Sequence, residues 1–327
     1  MIDRSVTRAI TKCALPFVCA VTQLAAAPVH ASQAFIPEYG RGTVVVLNLD
    51  DNKILERIKT GTSTWGVTVD ASRKVAYVTN SGSDDVSVID TENRKVVATI
   101  DVERNPTGLS ATADGRKVYV ANADANTVSV IDAMTRSVIK SIAVQKSPRC
   151  IVSHPSSKWV YVTNNHSSSI SVISTETDEV VSEIPVVGEK PYGIAVHPDG
   201  KTLYVPIFEA NELAVIDIET KKTAASIPVA AGPQGVGISD DGKDVYVSSV
   251  TENVVTVIDT ASAQVKTRVA VGNFPRGMSF DARTKRMYVA TTRSNTVTVI
   301  DGTTYQPIAT VDDLLWPMAF GNFIVQR

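Results

Sequence analysis

The 327-residue chain has little of what marks several common classes of protein. It has three cysteines, and two of them, Cys13 and Cys19, lie close to the N-terminus, so no disulfide framework is expected. Its 32 basic and 34 acidic residues are mixed along the chain, which gives no general attraction to nucleic acid or to anionic membranes. Beyond the first 31 residues, no apolar run is long enough to span a bilayer.

Motifs for metal binding and catalysis are also missing from the sequence. There is no Cys-X-X-Cys, His-Glu-X-X-His, nucleophile elbow or phosphate loop. The segment Asn122–Asn126 superficially resembles a calcium loop, but it lacks the glycine and the terminal glutamate of such loops. His154 and His197 each precede a proline at one shared repeat position, which is typical of turn residues. The sequence therefore predicts no metal and no cofactor.

Residues 1–31 have the three-part pattern of a secretory signal peptide. Three basic residues at 4–12 are followed by an apolar stretch from 13 to about 28 and then by Val29-His30-Ala31, which places small residues at the cleavage positions. A membrane anchor is the alternative, but a proline and two polar residues interrupt the apolar stretch. We expect cleavage after Ala31, a mature domain at 32–327 that is periplasmic, secreted or at the cell surface, and no stable membrane insertion.

What the chain does have is a repeat of about 42 residues, read seven times. An aromatic residue anchors each copy: Phe35, Tyr77, Tyr119, Tyr161, Tyr204, Tyr246 and Tyr288. Around it the chain reads AYVTN, VYVAN, VYVTN, LYVPI, VYVSS and MYVAT, and a second segment of the type VSVID begins nine residues later. A third segment, typified by VVATI from Val96, and a fourth, built around Pro-X-Gly, complete each copy.

All four segments alternate apolar and polar residues and are rich in Val, Ile, Thr and Tyr, which predicts β-strands. Asp-Gly pairs at 114–115, 199–200 and 241–242 separate the fourth segment from the next aromatic strand and indicate hairpin turns. Four short strands, repeated seven times, predict an all-β fold, a seven-bladed β-propeller with four antiparallel strands per blade. The helical spacing of an α-solenoid is missing, and so are the signatures of tryptophan-aspartate and kelch repeats.

The segments VYVTN and VSVID at this spacing resemble those of the YVTN-repeat propeller family (YncE-like proteins) over about residues 34–325. The resemblance implies the propeller fold and an exported protein. It does not imply a ligand, because members of that family include surface-layer, cell-surface and periplasmic proteins of mostly unassigned role.

Most of the repeated residues have structural roles. The aspartate that ends VSVID precedes a turn, and its side chain should accept hydrogen bonds from the backbone there. The glycine of Pro-X-Gly lies on the strand expected nearest the axis, where strands crowd. Cys150 replaces that glycine in one blade, and we expect it to be a buried packing residue that resists thiol reagents.

The X of Pro-X-Gly and the residue before the proline vary freely among the copies. We expect these positions to be exposed loops around one mouth of the central channel, where a ligand or partner would dock. The candidate ligand-binding residues are Trp65, Arg149, Lys190, Tyr192, Arg276 and Trp316. Aromatic and basic groups together suit a small anionic or aromatic ligand, single-stranded nucleic acid or a protein partner. The alternative is that these positions vary because no function constrains them, and that their aromatic side chains cover the core.

The first functional hypothesis is therefore a non-enzymatic binding or scaffold propeller. The alternative is a propeller enzyme of the lactonase or streptogramin-lyase type, with a metal-assisted site at the same mouth; His166, Glu209 and Glu252 would then be its candidates. Convergence of those three side chains around a metal-sized gap would favour the enzyme.

We also expect the ring to close between the chain ends. The first blade lacks its inner strand, and the C-terminus has a spare one, so residues 317–325 should pair with the strand at 34–38. Such pairing removes two open sheet edges.

Overall fold

A computed structural model describes residues 32–325 of the chain and consists of seven four-stranded antiparallel sheets arranged as the blades of a propeller. The predicted signal peptide lies outside the described residues. Each blade contributes one strand nearest the axis: Thr64–Asp70, Pro106–Ala111, Pro148–Ser153, Ala195–Val196, Pro233–Ile238, Pro275–Asp281 and Ile324–Val325. The aromatic strands come second: Gln33–Glu38, Val75–Asn80, Lys117–Asn122, Trp159–Asn164, Thr202–Ile207, Asp244–Ser249 and Arg286–Thr291.

The third strands are the VSVID segments: Thr43–Asn48, Asp85–Asp90, Thr127–Asp132, Ser169–Ser174, Glu212–Asp217, Val254–Asp259 and Thr296–Asp301. The outer strands are Lys53–Lys59, Lys95–Asp101, Ser137–Ala143, Glu179–Pro185, Lys222–Pro228, Gln264–Ala270 and Pro307–Val311. One 3₁₀ turn spans Thr292–Ser294. Among residues 32–325 no helix is long and apolar enough to cross a membrane.

The repeated aromatic residue fills the core of each blade. Phe35 and six tyrosines occupy this position, and the most exposed of the seven has a relative exposure of only 4%. Burial of a large side chain of this kind contributes roughly 2–3 kcal/mol to folding. Two of the tyrosine hydroxyls donate to polar side chains: Tyr288 Oη to Asn52 Oδ1 at 3.1 Å, and Tyr119 Oη to Asp178 Oδ1.

The predicted closure is confirmed: the C-terminal segment completes the first blade. Ile324 and Val325 pair with Ala34 and Gln33, and Pro317 bridges to Glu38. Between these points the same segment turns to the second blade, where Phe320 accepts a hydrogen bond from the Val67 N–H at 2.9 Å. The segment therefore links the first two blades as well as the two ends of the chain.

The outer strands carry a feature that the sequence pattern did not predict. In every blade the register between the third and the outer strand shifts by one residue at the same point. The unpaired residues are Leu55, Val97, Ile139, Val181, Ala224, Lys266 and Ile308. A bulge of this kind twists an edge strand and disfavours pairing with another chain.

Candidate functional site

One end of the ring, here called the mouth, is formed where each outer strand passes to the inner strand of the next blade. The residue before the Pro-X-Gly segment has a left-handed backbone, with φ between 53° and 71°, in all seven copies: Ser63, Asn105, Ser147, Lys190, Gly232, Phe274 and Trp316. Its carbonyl accepts the N–H of the first residue after an aromatic strand, as in Ser81 N to Ser63 O at 3.1 Å. The loops after the aromatic strands therefore open at the mouth, as predicted.

Five of these turns are held by a side chain from the preceding blade. An Asp or Asn located 21 residues earlier accepts the N–H of the left-handed residue: Asp84 for Asn105, Asn126 for Ser147, Asn211 for Gly232, Asn253 for Phe274 and Asn295 for Trp316. Bulky residues are rare in this backbone conformation, which Gly and Asn adopt more readily. Phe274 and Trp316 are held in it, so the rings themselves are candidates for a function.

The inner strands approach one another closely just behind the mouth. A Cβ added at Gly66, Gly108, Gly193, Gly235 or Gly277 would lie within 2.6 Å of a carbonyl oxygen in the next blade, so the glycines are needed. The hydroxyl of the YVTN threonine links the blades here. Thr79 Oγ1, for example, accepts the Gly66 N–H at 2.8 Å and donates to Thr107 O at 2.6 Å.

Cys150 takes the place of the glycine in the fourth blade and is buried, as predicted. Its N–H donates to Thr163 Oγ1 at 3.1 Å, so the link between blades is kept. Burial raises the pKa of the Cys150 thiol to about 12. The side chain is therefore a neutral packing group at physiological pH.

The X residues differ from the expectation of exposed loops. Trp65, Arg149 and Arg276 lie within strands, and Trp65 has a relative exposure of only 4%. Its ring stacks on Phe320 with a centroid separation of 4.4 Å and an interplanar angle of 11°. The Trp65 ring is therefore part of the packing that closes the mouth, because the inner strand turns it toward the axis.

Tyr192 and Arg149 lie next to this aromatic stack. The Tyr192 ring is tilted against Phe320 at 5.6 Å, and the Arg149 guanidinium carbon lies 5.9 Å from the centroid of the Tyr192 ring. Both side chains are half-buried. The structure thus brings three of the predicted residues, Trp65, Arg149 and Tyr192, into one continuous set of contacts.

Arg276 is the most unusual charged group of the mouth. Burial lowers the pKa of its guanidinium, contact with the Tyr192 phenol raises it, and the positive charges of Arg149 and Arg293 lower it further. In the described part of the chain, neither Arg149 nor Arg276 forms an ion pair, and the buried Nε atom of each has no hydrogen-bond acceptor. Two partly desolvated cations thus lie near each other without a compensating carboxylate.

Phe274 and Arg293 extend this group toward solvent. The guanidinium carbons of Arg276 and Arg293 lie 4.8 Å and 4.2 Å from the centroid of the Phe274 ring. Arg293 is exposed. Neither residue was among the candidates selected from the sequence. The signal that selects Phe274 is a large aromatic side chain at a position that Ser, Asn or Gly fills in four of the other six blades.

Among residues 32–325, no hydrogen bond, ion pair or ring contact joins Lys190 or Trp316 directly to this cluster. Lys190 Nζ forms an ion pair with Glu209, which raises the pKa of the lysine and compensates its charge. Trp316 is half-exposed and lies beside Tyr39, with ring centroids 6.3 Å apart. The positive charge at the mouth therefore comes from three arginines, one of which was not predicted.

The two glutamates of the enzyme alternative are engaged separately. Glu209 pairs with Lys190, and Glu252 Oε1 accepts the Ala231 N–H at 2.7 Å. In residues 32–325 no three His, Cys, Asp or Glu side chains are placed to share a metal ion, so His166, Glu209 and Glu252 do not converge.

The remaining predicted roles are structural and are confirmed. The aspartates that end the third strands accept turn N–H groups, as in Thr135 N to Asp132 Oδ1 at 2.7 Å. His154 and His197 bridge to the Asp-Gly turn of the next blade; His154 Nε2, for example, lies 2.8 Å from Gly200 O. These turns form the opposite end of the ring, here called the turn end.

The described residues thus define a seven-bladed propeller whose mouth carries unpaired arginines and aromatic rings. The family model of the YNCE-like beta-propeller matches residues 39–199 and 195–282, and the chain belongs to that family. No curated protein sequence matches the chain.

Three solved structures that share the fold have low sequence identity to this chain. Kuenenia stuttgartiensis hydrazine synthase is 21% identical, with a TM-score of 0.74 and coverage of 80% of this chain and 90% of that chain. A functionally unknown protein from Desulfotomaculum acetoxidans DSM 771 is 16% identical, with a TM-score of 0.78 and coverage of 90% and 98%. The dihydro-heme d1 dehydrogenase NirN, in complex with DHE, is 18% identical, with a TM-score of 0.69; the match covers 89% of this chain and 65% of NirN.

Proposed function

We propose that the chain is an exported, non-enzymatic binding propeller that holds a ligand with an acidic group at the mouth. The observation that carries this proposal is the pair Arg149 and Arg276, two neighbouring guanidinium groups with no carboxylate partner in the described residues and with buried Nε atoms that lack acceptors.

Such a pair is unfavourable in the free protein. Each cation loses part of its hydration, and the two repel each other, so both effects raise the free energy of the charged state. A carboxylate or phosphate between them would offset both costs and would accept the donors that now lack partners. Guanidinium groups bind these anions well because their planar donors match two oxygens at once.

The aromatic rings favour a ligand that also has a flat unsaturated part. Tyr192 is in contact with both arginines, and the Phe274 ring is in contact with Arg276 and Arg293. Trp316 offers a half-exposed ring at the same end of the propeller. A ligand ring that stacks here would gain binding free energy that salt does not screen.

The proposed site is narrower than the one expected from the sequence. The charge of Lys190 is already compensated by Glu209, and Trp65 is enclosed by Phe320 and its neighbours. We therefore place the acidic group of the ligand at Arg149 and Arg276 and the ring of the ligand at Tyr192, Phe274 and Trp316. Single-stranded nucleic acid offers both groups in a repeating form and is one member of this class.

The enzyme alternative has less support. Hydrazine synthase and NirN bear the names of enzymes, but at 21% and 18% identity they share the fold with this chain and carry no argument about its chemistry. The candidate carboxylates Glu209 and Glu252 are occupied by Lys190 and by the backbone, and they do not point to one reacting centre.

A matched pair of ligands tests the proposal directly. Calorimetry should show that 1-naphthoate and phenyl phosphate bind, whereas 1-naphthamide, which has the ring without the charge, binds far more weakly. The double substitution Arg149→Ala with Arg276→Ala should weaken naphthoate binding about a hundredfold, because two charge-assisted contacts are lost. Added salt should weaken binding to the wild type and have less effect on the double variant.

The control is Arg116→Ala, which removes an arginine with 81% side-chain exposure at the turn end and should leave binding unchanged. A short oligothymidylate in the same assay reports whether nucleic acid is among the ligands. The proposal is wrong if naphthoate and naphthamide bind equally, or if the double variant binds naphthoate as well as the wild type does.

A further inference from the structure

A cavity of about 340 Å³ lies along the axis behind the mouth. Its walls are the inner strands and the C-terminal segment, and its lining includes Pro198, Ser239 and Asp240 of the hairpin turns. The cavity therefore extends to the turn end of the ring. Phe320 lines it and also stacks on Trp65, but neither Arg149 nor Arg276 is part of its wall.

Small side chains at one repeated wall position explain why this cavity exists. The second residue after the Pro-X-Gly glycine lines the cavity in all seven blades, and none of the seven is larger than valine: Thr68, Ser110, Val152, Ala195, Gly237, Ser279 and Gly321. The blades thus approach closely at the glycine and leave room one step further along the axis. The volume is at the lower end of the range of roughly 300–1,000 Å³ found for small-molecule sites.

The wall combines apolar side chains with polar backbone and hydroxyl groups, and Asp240 is its one charged side chain. Only two of its residues are titratable: Asp240, which is exposed at the rim, and Cys150, whose thiol is neutral because burial raises its pKa to about 12. Large apolar side chains contribute a further part of the wall, among them Leu109, Ile151, Val196, Ile238, Met278 and Phe280.

The polar groups of the wall are mostly satisfied by the protein. Ser110 Oγ accepts the Ser153 N–H at 3.0 Å, and Thr68 Oγ1 accepts the Ala111 N–H at 3.3 Å. Ser279 Oγ donates to Asn322 Oδ1 at 3.0 Å, which leaves the Asn322 amide N–H₂ as a donor without a protein acceptor in the described residues. A ligand here needs few polar atoms, and one acceptor facing Asn322 would be matched.

We propose that this cavity is a second binding site, separate from the mouth, for a small uncharged and mainly apolar molecule with one carbonyl or ether oxygen. The molecule enters from the turn end. An anion is disfavoured, because entry removes part of its hydration, no wall residue supplies a cation, and the one charged wall residue, Asp240, is itself an anion. The inference does not rest on the function proposed for the mouth, since the two sites differ in residues, charge and entrance.

The test uses 6-propionyl-2-dimethylaminonaphthalene, an uncharged fluorophore with one carbonyl, whose emission moves to shorter wavelength in apolar surroundings. The wild type should give a saturable blue shift with one site per chain. Val152→Trp and Ile238→Trp, from two different blades, fill the cavity and should each weaken binding by about tenfold or more. Asn322→Ala should weaken it about fivefold through the loss of one neutral hydrogen bond.

Two controls distinguish binding in the cavity from binding at the outer surface and at the mouth. Val97→Trp makes the same substitution at an exposed position of an outer strand and should bind the fluorophore as the wild type does. The double variant Arg149→Ala with Arg276→Ala should also keep fluorophore binding while losing naphthoate, so the two proposals fail independently. The inference is overturned if the wild type gives no saturable shift, a result that needs no variant to fold, or if both cavity-filling variants bind as Val97→Trp does.

Discussion

The closure of the ring depends on one buried carboxylate, and its removal gives the sharpest test of how the propeller is held together. The Glu38 side chain is fully buried at the end of the first aromatic strand. It accepts hydrogen bonds from Arg41 Nη1 at 2.7 Å, Thr43 Oγ1 at 2.5 Å and the Leu315 N–H at 2.9 Å, and it lies 3.3 Å from Arg57 Nε. One carboxylate thus fixes a hairpin, two arginines and the entry to the C-terminal segment.

Glu38→Ala should therefore destabilise the protein strongly. Breaking a buried ion pair by removing one partner costs about 3–5 kcal/mol, because donors and charges are left buried without a partner. For a domain of this size each kcal/mol corresponds to about 2 °C in Tm, so we expect a fall of about 6–10 °C. Circular dichroism gives the Tm, and hydrogen exchange should show faster exchange at the amides of Leu315 and Tyr39, which lie on the two sides of the closure.

The matched control is Glu56→Ala in the outer strand of the same blade. Glu56 is exposed and takes part in no ion pair among the described residues, so its substitution should change stability by no more than about 0.5 kcal/mol. Equal Tm values for Glu38→Ala and Glu56→Ala would show that Glu38 does not hold the closure and would refute the reasoning.

Two further predictions follow from the thiol and from the turn aspartates. Cys150 should react slowly with thiol reagents in the native state, because it is buried with a thiol pKa of about 12; peptide-resolved mass spectrometry checks this, and rapid labelling without denaturant would contradict it. Hydrogen bonds from the turns lower the pKa of five strand-end aspartates, that of Asp259 to about 2, so their stabilisation is present above the unfolded pKa and is lost as the pH falls through the folded value. Tm should therefore decrease from about pH 4 toward pH 2, and a constant Tm over this range would count against the role of these turns.

The fold could be predicted from the sequence because similar strand and turn signals recur through the seven copies of the repeat. The alternation of apolar and polar residues predicted the strands, and the Asp-Gly pairs predicted the hairpin turns. The missing inner strand at the N-terminus and the spare strand at the C-terminus predicted the closure. The structure contains all three features. The bulge in each outer strand was not predictable, because the skipped residues have no common sequence signal: Val97 and Ile139 are apolar, whereas Lys266 is charged. The residue that is left unpaired depends on the local twist of the sheet, and the sequence pattern does not indicate that twist.

The candidate site was predicted less well, because its geometry depends on which neighbour each side chain meets. The mouth location and the arginines Arg149 and Arg276 were identified from the variation of one repeat position. Lys190 forms an ion pair with Glu209, and Trp65 stacks on Phe320. The two partners of each contact are distant in the sequence, so no local sequence pattern indicates these contacts. Phe320 in particular lies in the C-terminal segment, whose path between two blades is set only when the ring closes.

The inner strand itself explains why both sites face the axis. In a regular strand, two positions three residues apart point to opposite sides of the sheet. Here the X residue and the small wall residue are also three residues apart. In each blade with a full inner strand, however, the pairing of the inner strand with the aromatic strand shifts register between the proline position and the residue after the glycine. The bulge therefore turns the X residues, such as Trp65 and Arg276, inward on the same side as the small residues that form the cavity wall. A single irregularity, repeated around the ring, thus places large and charged groups at the mouth and open space directly behind them.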